Sequence, residues 1–259
     1  MEDEGLHLIF ILFFLFMAIP FFYIEKIKPE NNELVLNEET SRHIVQVLRM
    51  QAPDVIQLTD GNGNTYLAEI VKPDKKGALV KITSSGYSPP PGGNICIAIS
   101  LLKNNSRFEW FLEKATELGI NRIIPLICRR TEKDHFRSDR MNNILVSAML
   151  QSQQSWKPVL DKPIKYKDAL EETFPFRKYI AYCREHSLKK PLTLALKANQ
   201  LDEQGLLTGK IILIGPEGDF TEEEEVLALE DNYIPVSLGE TRLRAETAGI
   251  VAAVLLRFS

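Results

Sequence analysis

Cysteine is scarce, with three in 259 residues, at positions 96, 128 and 183. No Cys-x-x-Cys pair occurs, and the four histidines form no cluster with the cysteines. A structural zinc site and a disulfide framework are therefore not expected. Each cysteine lies in or beside an apolar run, so core packing in a reducing cytoplasm is the expectation for all three. Positive charge is not in excess either. The formal net charge is −4, which argues against a protein that coats nucleic acid through bulk charge. An enzyme that docks RNA on a local basic patch is still allowed. From Lys103 to Arg140 nine Lys/Arg stand against six Asp/Glu; a solvated mixed face accounts for that excess equally well.

What is present is an ordinary globular composition, 44% hydrophobic and 25% charged, enough to bury a core. One apolar run stands out, Leu8 to Ile24, close to the length of a membrane span. Its flank is acidic where a signal peptide carries positive charge, and Pro20 would interrupt a spanning helix. Met17 followed by a strand-like Phe21–Ile24 suggests instead that residues 1–16 are an upstream extension. No stable membrane partner is expected.

Residues 17–88 read as a small β-rich domain. Residues 34–36, 55–58, 65–71 and 78–82 are strand-like, with tight-turn signals at 60–63 and 75–77. Residues 37–50 read as one helix with Ile44, Val45, Val47 and Leu48 on its apolar face. Ser84 to Gly93 is dense in Pro and Gly and reads as a linker. Residues 94–259 alternate strands and helices: strands at 95–102, 122–127, 178–183, 210–214 and 234–238, helices at 107–118, 139–153, 221–230 and 245–257. That pattern predicts an α/β domain with a mostly parallel sheet. Thr221-x-x-Glu224 is a capping box.

Two segments carry chemistry. In Ile214-Gly215-Pro216-Glu217-Gly218-Asp219-Phe220 an apolar strand runs into a glycine-bearing turn before a capped helix. In Leu238-Gly239-Glu240-Thr241-Arg242-Leu243-Arg244-Ala245-Glu246-Thr247-Ala248-Gly249 a second strand ends in glycine before a second helix start. Ligands in open α/β sheets sit at such carboxyl ends of strands, and glycine lets backbone approach a ligand closely. Neither segment is a phosphate-binding Walker loop or a GxGxxG fingerprint. A plain strand–helix turn explains the first segment about as well, and a surface salt-bridge cluster explains Arg242, Arg244 and Glu246.

Together, Gly-Pro-Glu-Gly-x-Phe and Leu-Gly-x-x-x-Leu-Arg-x-Glu-Thr-Ala resemble the SPOUT methyltransferase superfamily. Within it they resemble the family that methylates N3 of a uridine in small-subunit ribosomal RNA. Lys103, Arg107, the helix segment Glu113 to Gly119, Pro125 and Arg129 are similar to that family's pattern. His43 to Arg49 resembles part of its PUA-like RNA-binding barrel. At Leu150 and Gln154 the chain departs from the family's usual glutamate and arginine.

The resemblance implies a C-terminal trefoil knot, a small N-terminal PUA-like β-barrel and a homodimer acting in the cytoplasm. It implies S-adenosylmethionine as cofactor, without metal, held by Ile214, Gly215, Pro216, Glu217, Gly218, Leu238, Gly239, Leu243, Arg244, Glu246, Thr247 and Ala248. It implies small-subunit ribosomal RNA as partner, met by Lys103, Arg107, Arg129 and Arg49. Arg129 is the candidate for gripping phosphate or a uracil oxygen, and Glu217 is a candidate base. A 2′-O-ribose enzyme of the same superfamily and a non-catalytic RNA-binding assembly factor are the competing readings.

Overall fold

The computed structural model describes residues 19–27, 32–132, 135–171, 176–184, 188–198 and 209–259. The chain divides into two units, Met1–Pro90 and Pro91–Ser259.

The first unit is a five-stranded sheet of β1 (Phe21–Tyr23), β2 (Glu33–Val35), β3 (Val55–Thr59), β4 (Asn64–Lys72) and β5 (Leu79–Tyr87), in the order β1-β3-β4-β5-β2. All pairs but β1–β3 are antiparallel. Its core gathers Leu36, Ile44, Ile56, Leu58, Ile70 and Val80. The β3–β4 turn forms because Asp60 Oδ1 accepts the N–H of Asn62 at 2.8 Å, with Gly61 and Gly63 at positive φ.

Residues 37–50 do not make one helix. A short α1 (Glu38–Arg42), capped by Asn37, widens into a single π turn at His43–Val47. Of the four apolar residues assigned to its buried face, only Ile44 is fully buried; Val47 and Leu48 are 66% and 41% exposed. No continuous apolar stripe holds a longer helix down, and the chain turns away with Arg49 at φ +56. Residues 84–87, read as linker, continue strand β5.

The second unit is a sheet flanked by helices on both faces. Its strands are β6 (Ile95–Ser100), β7 (Arg122–Ile127), β8 (Val159–Leu160), β9 (Ile164–Lys165), β10 (Phe176–Ala181), β11 (Lys190–Pro191), β12 (Gly209–Ile214) and β13 (Ile234–Ser237). The order is β11-β13-β10-β12-β6-β7-β8, with β9 also on β7, and all pairs are parallel. Strand β6 is buried along its whole length, as a parallel strand covered on both faces must be. Its alternation splits the core in two. Ile95, Ile97 and Ile99 join one cluster with α2 (Asn105–Glu117), α3 (Ser138–Gln151), α5 (Leu192–Ala198) and α7 (Ala245–Arg257). Cys96 and Ala98 join the other with α4 (Tyr166–Glu171), α6 (Glu222–Glu230) and Phe220.

Helix α7 packs on α2 at Gly249. A Cβ there would lie 2.7 Å from Phe111 Cε2 and 3.1 Å from Ile99 Cδ1. Both neighbours are fully buried, so neither can move aside. Gly249→Ala should cost about 1–3 kcal/mol through overpacking, read as a lower urea midpoint at unchanged m-value. An unshifted midpoint would contradict this close approach.

Cys96 and Cys128 are buried, but Cys183 is exposed, which corrects its assignment to the core; it follows the end of β10 rather than lying within it. Burial pushes the Cys128 thiol up to about 12, so it stays protonated and unreactive. Among the described residues no helix is long and apolar enough to cross a membrane, and no group of His, Cys, Asp and Glu could hold a metal. Residues 1–18, with most of the apolar run and Met17, lie outside the described residues.

Candidate functional site

Strands β12, β10 and β13 end side by side. Ile214 pairs with Ala181, and Ala181 with Val236. The loops leaving these three carboxyl ends enclose an open cavity of about 770 Å³. The two motif segments, some twenty residues apart in sequence, thus meet because β10 inserts between their strands.

From the first motif, Ile214, Gly215, Pro216, Glu217 and Asp219 line the cavity; from the second, Leu238, Gly239, Leu243, Arg244, Ala245 and Ala248 do. Gly218, Glu246 and Thr247 are not part of its lining. A third wall escaped sequence reasoning: Ala181 at the end of β10, and Tyr182, Cys183 and Lys189 after it. Lys189 Nζ knits that wall, donating to the carbonyls of Cys183 at 3.2 Å and Arg184 at 2.9 Å and lying 5.8 Å from the Tyr182 ring centroid. The segment carries no glycine motif, so only strand order could have placed it there.

The first motif loop is tightly held. A Cβ on Gly215 would meet the Phe220 ring and its backbone nitrogen at 3.2 Å, so a side chain there would press on Phe220. Asp219 takes a left-handed φ of +64 and its Oδ2 accepts the N–H of Cys183 at 2.8 Å. The capping box forms as expected, with Thr221 and Glu224 exchanging hydrogen bonds at the start of α6. Glu217 does not cap that helix. Its Oε1 accepts the N–H of Lys103 at 3.2 Å, and the side chain is exposed.

Lys103, after β6, and Arg129, after β7, flank the same sheet edge. Lys103 Nζ pairs with Glu132 at 2.7 Å, and that hydrogen bond raises its pKa. Arg129 is exposed, and its backbone N–H donates to Glu224 Oε1 at 2.7 Å. Arg107, in the first turn of α2, lies 3.6 Å from Glu246 in the first turn of α7. Glu246 is buried and its second oxygen has no hydrogen-bond partner among the described residues. Arg49 belongs to the first unit and is exposed. Gln154 has a structural task. Its Nε2 donates to the carbonyls of Thr116 at 3.0 Å and Glu117 at 2.9 Å, satisfying the C-terminal end of α2. Leu150 is half-buried on α3.

The cavity lies at the carboxyl ends of strands in an α/β sheet, and its lining mixes apolar residues of both motif loops with charged ones, Glu217, Asp219, Arg242 and Arg244 among them. A family model described as an RNA methyltransferase domain matches residues 89–257, and one described as an RNA methyltransferase PUA domain matches residues 36–83. The chain is similar to the ribosomal RNA small subunit methyltransferase E of Rickettsia conorii, 30% identical over 91% of this chain and 93% of that one. It is similar to the crystal structure of a probable rRNA-methyltransferase from Porphyromonas gingivalis, with a TM-score of 0.81 at 34% identity, covering 91% of this chain and 96% of that one. It is also similar to the ribosomal RNA small subunit methyltransferase E of Neisseria gonorrhoeae, solved bound to S-adenosyl methionine. That likeness has a TM-score of 0.76 at 28% identity and covers 93% of this chain and 98% of that one. The resemblance carried by the paired motifs is borne out: the chain belongs to the RNA methyltransferase family, in the branch of the ribosomal RNA small subunit methyltransferases E.

Proposed function

We propose that this protein transfers the methyl group of S-adenosylmethionine to N3 of a uridine in small-subunit ribosomal RNA. The observation that carries the reading is the cavity at the ends of β10, β12 and β13, built from both motif loops, one of whose lining residues, Glu217, accepts the backbone N–H of Lys103. Its residues fit the cofactor. Leu238, Leu243 and Ala248 offer apolar surface to an adenosine, and the peptide groups of Ile214 to Glu217 and Leu238 to Gly239 offer backbone donors and acceptors. Gly218, Glu246 and Thr247 belong to the same two segments but lie outside that lining.

When bound, the cofactor supplies a methyl group already activated on sulfonium, so the chemistry needs no metal. The chain's own residues must orient the base and take up a proton. Arg129 is exposed and fork-shaped, suited to a phosphate or a uracil oxygen, and Lys103, Arg107 and, on the first unit, Arg49 are the further RNA contacts of this reading. For the methyl group to pass from the sulfonium to N3, leaving the cofactor as a neutral thioether, the N3 proton must be taken up by the protein, because a neutral imide nitrogen is a poor nucleophile. Glu217, exposed at the cavity, is the acceptor this reading assigns. Glutamine at 217 keeps an oxygen for the Lys103 N–H but cannot take a proton. Glu217→Gln should therefore lower kcat by about 100-fold without weakening the affinity for either substrate. Unchanged turnover would remove Glu217 from the role.

The reading includes a homodimer and a knotted C-terminal segment. Val254, an exposed apolar residue on α7, supports the first; the placement of β13 between β10 and β11 supports the second. The function is tested by incubating the protein with labelled cofactor and small ribosomal subunits, then mapping the methylated nucleotide. Labelled uridine N3 is the expected product, and cofactor binding without transfer is the opposing result.

A further inference from the structure

Arg130 follows Arg129 in the turn after β7, yet its side chain goes elsewhere. Its guanidinium NH1 donates to the carbonyl oxygens of Gly218 at 2.7 Å and Phe220 at 3.1 Å. Its Cδ lies 3.3 Å from where a Cβ on Gly218 would be, so the arginine stem is laid against the glycine. The turn that presents Arg130 is itself fixed. The Cys128 N–H donates to Thr131 Oγ1 at 2.8 Å, and Thr131 Oγ1 lies 2.9 Å from Ser100 Oγ at the end of β6. Glu224 closes the arrangement. One carboxylate oxygen accepts the Arg129 N–H at 2.7 Å, and the other accepts the Thr221 N–H at 2.9 Å. Glu224 is buried and both its oxygens are used.

We propose that Arg130 is a positioning residue that sets the cofactor loop. Together with Glu224 it locks Gly218 to Thr221 to the turn that carries Arg129. The inference rests on the function proposed above and deepens it. Loop carbonyls after a strand end have no ladder partner and need a donor. A guanidinium reaching two of them supplies a charge-assisted pair in fixed geometry. The consequence is that the backbone under the cofactor and the backbone under the substrate arginine move as one body. A base gripped by Arg129 is thereby held in register with the methyl donor, where a displacement of about 1 Å can cost about 100-fold in rate.

The neighbouring arginines should separate by experiment. Arg130→Ala should weaken cofactor affinity by about tenfold while RNA affinity stays within about twofold. Arg130→Lys, which reaches one carbonyl at a time, should recover part of the loss. Amide hydrogen exchange in the cofactor-free protein should rise at residues 218–221 in Arg130→Ala and stay unchanged in the first unit. This readout needs neither cofactor nor activity. Unchanged exchange and unchanged cofactor affinity would overturn the proposal. So would a loss of RNA affinity matching that of Arg129→Ala, since Arg130 would then be an RNA contact. A wild-type protein that binds cofactor but methylates no ribosomal RNA would sink the proposed function and leave the exchange result standing.

Discussion

Arg129→Ala should lower kcat/KM for RNA methylation by about 100-fold or more and leave cofactor affinity within about twofold. The separation follows from which atoms of Arg129 are used inside the protein. Its backbone N–H, not its side chain, holds Glu224, and alanine keeps that N–H. The side chain is exposed, so removing it disturbs no packing. Arg129→Lys should fall between the two, because an ammonium keeps the charge and loses the planar fork. Wild-type kcat/KM in the alanine variant would show that RNA is gripped elsewhere. A large loss of cofactor affinity would show that Arg129 acts on the loop and not on RNA.

The second large effect should come from Phe220. It is fully buried, its ring is 5.3 Å from that of Tyr166, and Gly215 folds over it. Its carbonyl accepts hydrogen bonds from Arg130 and Arg184, both at 3.1 Å. Phe220→Ala removes the support of the first motif loop and leaves a void in the second core cluster. The expected cost is about 3–5 kcal/mol, a large part of the stability of a typical domain. Denaturant unfolding should show it, and cofactor affinity measured on the folded fraction should fall with it. A stability loss under about 1 kcal/mol would mean the loop collapses to fill the space; an undiminished cofactor affinity would mean that it does not need this anchor.

The strands that build the cavity were legible in the sequence where apolar runs end in glycine. Strand β12 and helix α7 fall where their patterns put them, and the capping box at Thr221 marks the start of α6. The short pieces β8, β9, β11 and α5 were not legible. Two-residue strands exist only because β7 and β13 offer parallel edges to pair with, and no local periodicity encodes that. The helix expected over 37–50 failed because apolar spacing alone does not say whether Val47 and Leu48 have anything to pack against.

The site was half legible. The two motif loops were readable as ligand-binding, and the structure joins them around one cavity. The third wall, of Tyr182, Cys183 and Lys189, was not, since it depends on β10 lying between β12 and β13. Arg130 looked like one more cation in a mixed-charge stretch, because its two partners lie 88 and 90 positions away. Glu246 was grouped with the cofactor loop by sequence neighbourhood, whereas its side chain faces Arg107 on α2.

The most direct measurement of the central reading is nucleotide mapping of small-subunit ribosomal RNA from cells with and without this protein. The account predicts one uridine that carries an N3 methyl group only when the protein is present, and that stays unmethylated when Arg129→Ala replaces it. A methyl group on a ribose 2′ oxygen, or an identical methylation pattern in both RNAs, would contradict it.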